Sequence, residues 1–260
     1  MVRSVVFALI FYVVTALFVI VGSPLLFGPR RWAMAGLKAH ALTCGWLLKL
    51  IVGIKLEVRG HEKLPPGPVL VACKHQSAWD TFGLIPLFAD PALIMKTELF
   101  WIPFHGWFSR KFEMIEVRRG RRTAAMRQLL VDAKTRTAIG REVLIFPEGT
   151  RRVPGARADY KSGIVLLYEG LGLPCVPVAL NSGLFWPRRS LWGYPGTIVV
   201  EFLEPIPADV PRAEFRNRLQ ETIEHASDAL LLEAAGAANP PPLPPEARQR
   251  LNELAAKEDA

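Results

Sequence analysis

Cysteine is scarce: Cys44, Cys73 and Cys175 are spread over 260 residues, and no CxxC pair occurs. That scarcity argues against a disulfide framework and against a zinc site, and it suits a reducing cytosol. All three read as small buried apolar residues. Acid is also in short supply. Asp and Glu number 24 against 32 Lys and Arg, which leaves a net charge of +8 at pH 7. A basic balance favours an anionic partner, either nucleic acid or an anionic lipid surface. There is no internal repeat and no visible linker between domains. Half of the residues are hydrophobic, ample for a core in one domain of catalytic size.

The longest absence is of charge. From Ser4 to Pro29 no residue is charged: SVVFALIFYVVTALFVIVGSPLLFGP. Ser4 to Val21 would form a helix about 27 Å long, close to the thickness of a bilayer core. A signal peptide is the competing reading. The run is long for one, and cleavage after Ser23 would leave Pro24 next to the cut. Gly22, Ser23 and Pro24 break the helix. In the stretch 31–52, Arg31, Lys38 and Lys49 fall on one face of a second helix, with Trp32, Leu42 and Trp46 among the apolar residues. Two helices joined by a proline turn can dip into one leaflet, where a basic face and tryptophans suit the interface. The alternative is one spanning helix followed by a core helix. Arg3 on one side and Arg30–Arg31 on the other give no vote on orientation.

From residue 54 the pattern changes. IKLEV (54–58), PVLVAC (68–73), ALIMK (92–96), MIEV (114–117), EVLIF (142–146), CVPVAL (175–180) and TIVVEFL (197–203) read as strands, several of them apolar throughout, as buried strands are. Helical patterns lie between them near 78–89, 121–139 and 162–171, and a last amphipathic helix covers about 212–235. The fold class is therefore α/β: a mixed, largely parallel sheet covered by helices, preceded by an N-terminal membrane-associating helical hairpin. The expected domains are 1–53, membrane-associating helices; 54–237, the catalytic domain; and 238–260, a mobile Pro-rich tail opening with NPPPLPP.

In such sheets ligands gather where strands end. Four strand-following loops are chemically rich: KHQSAWD (74–80), RRGRR (118–122), PEGTRR (147–152) and NSG (181–183). His75 and Asp80 are five apart. In a strand or a regular helix they would point apart, so they meet only if a strand ends at Cys73, a turn carries His75, and a helix starts near Ser77. A carboxylate on one ring nitrogen leaves the other free as a base. Ser77 could complete a hydrolase triad, yet it is also a natural helix N-cap. Cys73 closes an apolar strand and reads as core. Without a protein nucleophile, the base would activate a hydroxyl of the substrate. In PEGTRR, Glu148 and Thr150 can bond a hydroxyl-bearing headgroup, and Arg151 and Arg152 can hold phosphate; a solvated turn is the plain alternative. RRGRR is a solvated run or a second phosphate loop.

HQSAWD, MIEVRR, FPEGTR and VPVALNSG follow one another in the order and spacing of four blocks. In this the chain resembles the glycerolipid acyltransferase family of the lysophosphatidic acid acyltransferase type, over about residues 54–205. The resemblance implies His75 as general base and Asp80 as its orienting carboxylate. It links Glu148, Gly149, Thr150 and Arg151 to the acceptor. It puts Arg119 in the phosphate-ligand place, with Arg118 where the family has an acidic residue, so either arginine can hold the phosphate. Lys96 in KTEL and Lys161 in YKSG are further candidate contacts or ordinary surface lysines, and Lys74 stands where the family often has Asn. Pro177 shapes its strand.

The implied reaction moves an acyl group from acyl-CoA or acyl carrier protein, as co-substrate, to the 2-hydroxyl of lysophosphatidic acid. It needs no metal, no other cofactor and no covalent enzyme intermediate. The implied partners are a lysophospholipid, the thioester donor and the bilayer, not nucleic acid. The implied place is a bacterial inner membrane with the site on the cytoplasmic side. Relatives with the same blocks use other lyso-lipids, such as lyso-ornithine lipid. A non-catalytic anionic-lipid binder is the competing class, and the intact His/Asp pair counts against it. The aromatic stretch LFWIPFHGWF (99–108) lines an acyl passage, touches lipid, or packs under a loop.

Overall fold

The computed structural model describes residues 2–117 and 122–258. Two helices come first, α1 (Val2–Gly22) and α2 (Arg30–Leu47), linked by a short 3-10 turn, Ser23–Leu26, with Pro24 in its first turn. One wider helical turn, Leu48–Val52, extends α2 and ends at Gly53. Seven strands follow: β1 (Ile54–Arg59), β2 (Leu70–Cys73), β3 (Ala92–Lys96), β4 (Ile115–Val117), β5 (Val143–Ile145), β6 (Cys175–Leu180) and β7 (Gly196–Phe202). Interleaved with them are α3 (Asp80–Gly83), α4 (Thr97–Phe100), α5 (His105–Lys111), α6 (Arg122–Thr137), α7 (Gly163–Leu171) and α8 (Ser182–Phe185). The chain closes with α9 (Arg212–Ala235) and α10 (Pro245–Glu258).

The sheet order is β1-β7-β6-β2-β5-β3-β4. The five strands from β6 to β4 are mutually parallel, β7 runs antiparallel to β6, and β1 is parallel to β7. Helices cover both faces, which is why every residue of β2, β5 and β6 is buried and those strands read as unbroken apolar runs. Pro177 sits inside β6, a central strand, where a missing N–H is costly. It falls just past the last β7 pair, Val178 with Phe202, and its carbonyl still accepts from Leu203 N.

The hairpin packs on the domain. Phe7 meets Trp186 edge-on at 5.5 Å, Phe11 reaches Phe82 at 5.7 Å, and Thr15 Oγ1 lies 3.0 Å from His40 Nε2 across the two helices. Only 6% of α1's most apolar window is buried, and 22% of α2's. Both helices are long and apolar enough to cross a bilayer, and neither is a core helix. The basic face expected along 31–52 is partly used internally: Lys38 Nζ donates to the carbonyls of Phe88 (2.7 Å) and Ala89 (2.8 Å). Arg30 makes a forked pair with Asp90 at 2.7 and 2.6 Å. Burial alone would raise the Asp90 carboxyl. The Arg30 bond and the charges of Arg141, Arg30 and Lys38 outweigh it and hold the group below its ordinary value.

Two expectations need correction. The helix expected over 78–89 is only the four residues of α3 plus a 3-10 turn, Ile85–Leu87, because Pro86 cannot continue an α-helix. The tail expected to be mobile from 238 on instead forms α10. Ala247 is fully buried, Leu243 and Leu251 pack on the core, and Arg250 grips Asp228 at 2.5 and 3.0 Å. These apolar residues lie at helical spacing behind the prolines, so docking on α9 supplies the burial that a lone helix lacks.

Candidate active site

The carboxyl ends of the five parallel strands share one edge. Along it, in strand order, lie the loop after β6 (181–183), the loop after β2 (74–80), the loop after β5 (146–152), the end of β3 at Lys96, and the end of β4. Arg118 and Arg119 follow β4 and lie outside the described residues.

After Cys73 the strand ends, and Lys74 N still bonds Val178 O at 2.9 Å. The chain then turns, and α3 begins at Asp80. That turn brings the pair together: His75 Nδ1 stands 2.9 Å from Asp80 Oδ2. The same oxygen accepts from Gln76 N (2.8 Å) and Ser77 N (2.9 Å), and Oδ1 accepts from Ser182 Oγ at 2.6 Å. Asp80 is fully buried. With donors filling both oxygens the carboxylate can only accept, so Nδ1 carries the ring hydrogen and the Nε2 lone pair is left over. The ring stacks on Phe146 at 4.1 Å, and its side chain is 11% exposed, which fixes its plane and leaves a narrow opening.

No protein nucleophile is set against that nitrogen among the described residues. Ser77 Oγ accepts from Trp79 N at 3.2 Å, so it shapes the turn two residues ahead of the N-cap position, which Trp79 occupies. Cys73 is fully buried; burial, then the charges of Asp80 and Glu148, push its thiol well up, away from the reactive thiolate.

Beneath the dyad lies an ionic cluster. Glu148 is 0% exposed and Lys74 3%. Lys74 Nζ donates to Glu148 Oε1 at 3.1 Å and to Glu224 Oε1 at 2.6 Å, and Tyr160 OH donates to that Glu224 oxygen at 2.9 Å. Burial raises the Glu148 carboxyl above its ordinary value, and Glu224 adds to this, against the pull of Lys74 and of His75 N. Burial, then Glu224 and Glu148, push the Tyr160 phenol up, so it stays a donor. Glu148 therefore faces inward. It ties the 147–152 loop to the backbone of His75 and does not present its carboxylate to a ligand. Arg152 N adds a 2.7 Å bond to His75 O. Gly149, at φ +64, makes the reversal that closes this loop, with its N–H on Phe146 O at 2.9 Å.

The cations separate into two kinds. Arg152 and Lys161 both hold Asp159, at 2.7 and 2.5 Å. Arg151 is half-buried, and Lys96 is exposed; neither makes an ion pair with a described residue. Thr150 is exposed beside Arg151. Since β5 neighbours β2, the loop that carries Arg151 adjoins the loop of the dyad, and Lys96, at the end of β3, stands one strand further along the edge.

Sequence reasoning missed Ser182, Gln76 (whose Oε1 accepts from Gly183 N at 3.1 Å), Glu224 and Tyr160, and it undervalued Lys74. A lysine abutting an all-buried strand was the available signal for Lys74; for Glu224, 150 residues away, there was none. Ser182→Ala removes the bond to Asp80 Oδ1. It is expected to lower stability by about 1.5–3 kcal/mol, the worth of a hydrogen bond to a buried charge, and to lower turnover with little change in KM. Chemical denaturation alongside steady-state kinetics measures both.

An α/β sheet with a buried carboxylate orienting a histidine at its carboxyl edge, and cations in the neighbouring loops, is an arrangement in which that histidine can act as a general base. The family model described as Acyltransferase matches residues 55–181 of this chain. A 1-acyl-sn-glycerol-3-phosphate acyltransferase of Pseudomonas aeruginosa is 39% identical over 155 residues, 60% of each chain. The mouse 1-acyl-sn-glycerol-3-phosphate acyltransferase alpha is 30% identical over 63% of this chain and 61% of its own length. The chain thus spans about three fifths of these curated relatives. The solved structure of PlsC, the 1-acyl-sn-glycerophosphate (LPA) acyltransferase of Thermotoga maritima, matches with TM-score 0.75 over 88% of this chain and 96% of that one, at 22% identity. That likeness establishes the fold.

Proposed function

We propose that this chain transfers a fatty acyl group from a thioester, acyl-CoA or acyl carrier protein, to the 2-hydroxyl of lysophosphatidic acid, forming phosphatidic acid. The observation that carries the reading is the His75–Asp80 pair at 2.9 Å, with Nε2 open and Arg151 in the adjoining loop. His75 Nε2 takes the hydroxyl proton as the oxygen attacks the thioester carbonyl. The new C–O bond forms, the C–S bond breaks, and the thiolate leaves; the proton on His75 passes to the thiolate or to water. Asp80 holds the tautomer and steadies the imidazolium. Arg151, Thr150 and the arginines after β4 hold the phosphate and glycerol backbone, with Lys96 and Lys161 at the rim. No metal and no cofactor beyond the thioester takes part.

The exposed faces of α1 and α2 support a membrane seat, and we place the active site on the cytoplasmic side of a bacterial inner membrane. The domain plan follows: 1–53 seat the protein, and 54–237 carry the chemistry. The test is the purified protein in vesicles with labelled acyl-CoA or acyl carrier protein and a panel of lyso-lipids. Phosphatidic acid from lysophosphatidic acid is the expected product. Turnover of a phosphate-free acceptor such as lyso-ornithine lipid in its place would keep the dyad's role and remove the phosphate role from Arg151.

A further inference from the structure

The stretch from α4 to α5 puts its largest apolar side chains outside. Trp101 is 76% exposed, Ile102 47%, Phe104 48% and Trp107 52%. Single exposed apolar residues are ordinary, but a contiguous set marks an interaction surface. This one is built rigidly. Gly106 N bonds Ile102 O at 2.8 Å, His105 N bonds Pro103 O at 2.7 Å, and His105 Nδ1 lies 3.0 Å from Leu99 O. A Cβ on Gly106 would stand 2.0 Å from the Phe100 carbonyl oxygen, so the turn closes only with glycine there. Phe104 has φ +61, a costly backbone for a residue with a Cβ, and it is spent on holding an aromatic ring in the open. That ring sits against Trp107, centroids 4.9 Å apart.

The knuckle adjoins the helical hairpin. Lys111 Nζ, at the end of α5, bonds Gly28 O at 2.5 Å, and Phe108 lies beside Gly22. Phe27, 92% exposed, and Trp32 stand at that hairpin turn. From Trp101 to Phe112 there is no acidic residue, and Arg110 and Lys111 are basic. Tryptophan and phenylalanine with flanking cations are the composition of a bilayer interface, where rings sit among headgroups and cations meet anionic lipid. The knuckle also follows β3, whose carboxyl end lies on the edge that carries His75.

We propose that residues 101–107 insert into the headgroup region of an anionic lipid surface. They form a membrane contact separate from the hairpin, which holds the mouth of the site on the bilayer. The acceptor then reaches the dyad without crossing water. The proposal rests on the reading of α1 and α2 as membrane-seated, and its test keeps the two apart.

All three native cysteines are buried, so an introduced one can be labelled selectively with an environment-sensitive fluorophore. Ile102→Cys reports the knuckle, Leu9→Cys the exposed face of α1, and Thr135→Cys the exposed side of α6, which packs on the opposite face of the sheet. The full chain is placed in vesicles of phosphatidylglycerol and phosphatidylcholine. The label at 102 is expected to shift to the blue and to be quenched by nitroxide-labelled lipid, while the label at 135 is quenched by aqueous iodide. A label at 102 that iodide reaches as readily as at 135 overturns the proposal. If the label at 9 is in lipid in that case, the hairpin reading survives. A label at 102 in lipid with 9 in water supports the knuckle and removes the hairpin. A blue shift that grows with protein concentration without vesicles assigns the patch to a second copy of the chain and overturns the proposal.

Discussion

His75→Ala is expected to lower acyl transfer by about 10²- to 10⁴-fold, the range that a positioned general base contributes, with folding intact. The side chain is partly open and stacks on one ring, Phe146, so its loss costs little packing. Asp80→Asn is expected to fall within the same range by a different route. An amide can donate as well as accept, so the tautomer with Nε2 free is no longer enforced. It also meets the N–H groups of Gln76 and Ser77 with a weaker acceptor, so Asp80→Asn should lose stability as well as rate. Cys73→Ala and Ser77→Ala should keep the chemistry, since neither side chain reaches Nε2. Single-turnover rates with circular dichroism at each variant separate these outcomes. A full rate in His75→Ala would remove the general-base reading outright. Loss of turnover with intact folding in Ser77→Ala would install a hydrolase-like nucleophile instead.

Lys74→Met should produce the largest stability change, about 3–5 kcal/mol, because it leaves the buried Glu148 carboxylate without its cation. The pH dependence identifies the cause. Glu148 already sits above its ordinary value in the folded protein. A carboxyl raised on folding binds its proton more tightly in the folded state, so its contribution to stability is fully present below the unfolded value. That contribution is lost as pH rises through the folded value. Removing Lys74 raises the group further and widens that window. The variant should therefore be closest to the parent in mild acid and fall away toward neutral pH. Adding Glu148→Gln to Lys74→Met should recover much of the loss at neutral pH, since a neutral amide needs no counter-charge. Thermal melts of the single and double variants across that range measure it. Equal deficits at every pH would mean that packing, and not the buried charge, is what Lys74 supplies.

The dyad was legible because its logic is local. Cys73 ends an apolar run, a turn follows, and five residues suffice to fold Asp80 back on His75. The central strands β2, β5 and β6 were legible for the same reason, since a strand buried on both faces shows in its own residues. Glu148 was legible as a site residue but its direction was not. In the sequence it stands in a Pro-Gly turn beside two arginines, which reads as a ligand-facing loop. In the structure its partner is Lys74, 74 residues earlier. Ser182, 102 residues from Asp80, lies in a loop marked as chemically rich, with nothing in it to say that its hydroxyl completes the carboxylate's shell. The tail misled for a related reason. Prolines and charges outnumber its apolar residues, and the surface on α9 that Ala247 and Leu251 cover cannot be seen from the tail itself.

The sequence alone determined which segments are strands, that a helical hairpin opening on a charge-free run precedes them, and that a histidine and a carboxylate share one turn. Each depends on neighbours within a few positions, where periodicity, turn chemistry and charge act directly. Only the tertiary structure decided the strand order. That order sets Ser182 beside Asp80, Lys74 between Glu148 and Glu224, and Arg151 one strand from the dyad while Lys96 stands two away. Backbone hydrogen bonds join any two apolar strands about equally well. The order is selected by how all the helices and loops pack at once, and long-range polar partners follow from that selection.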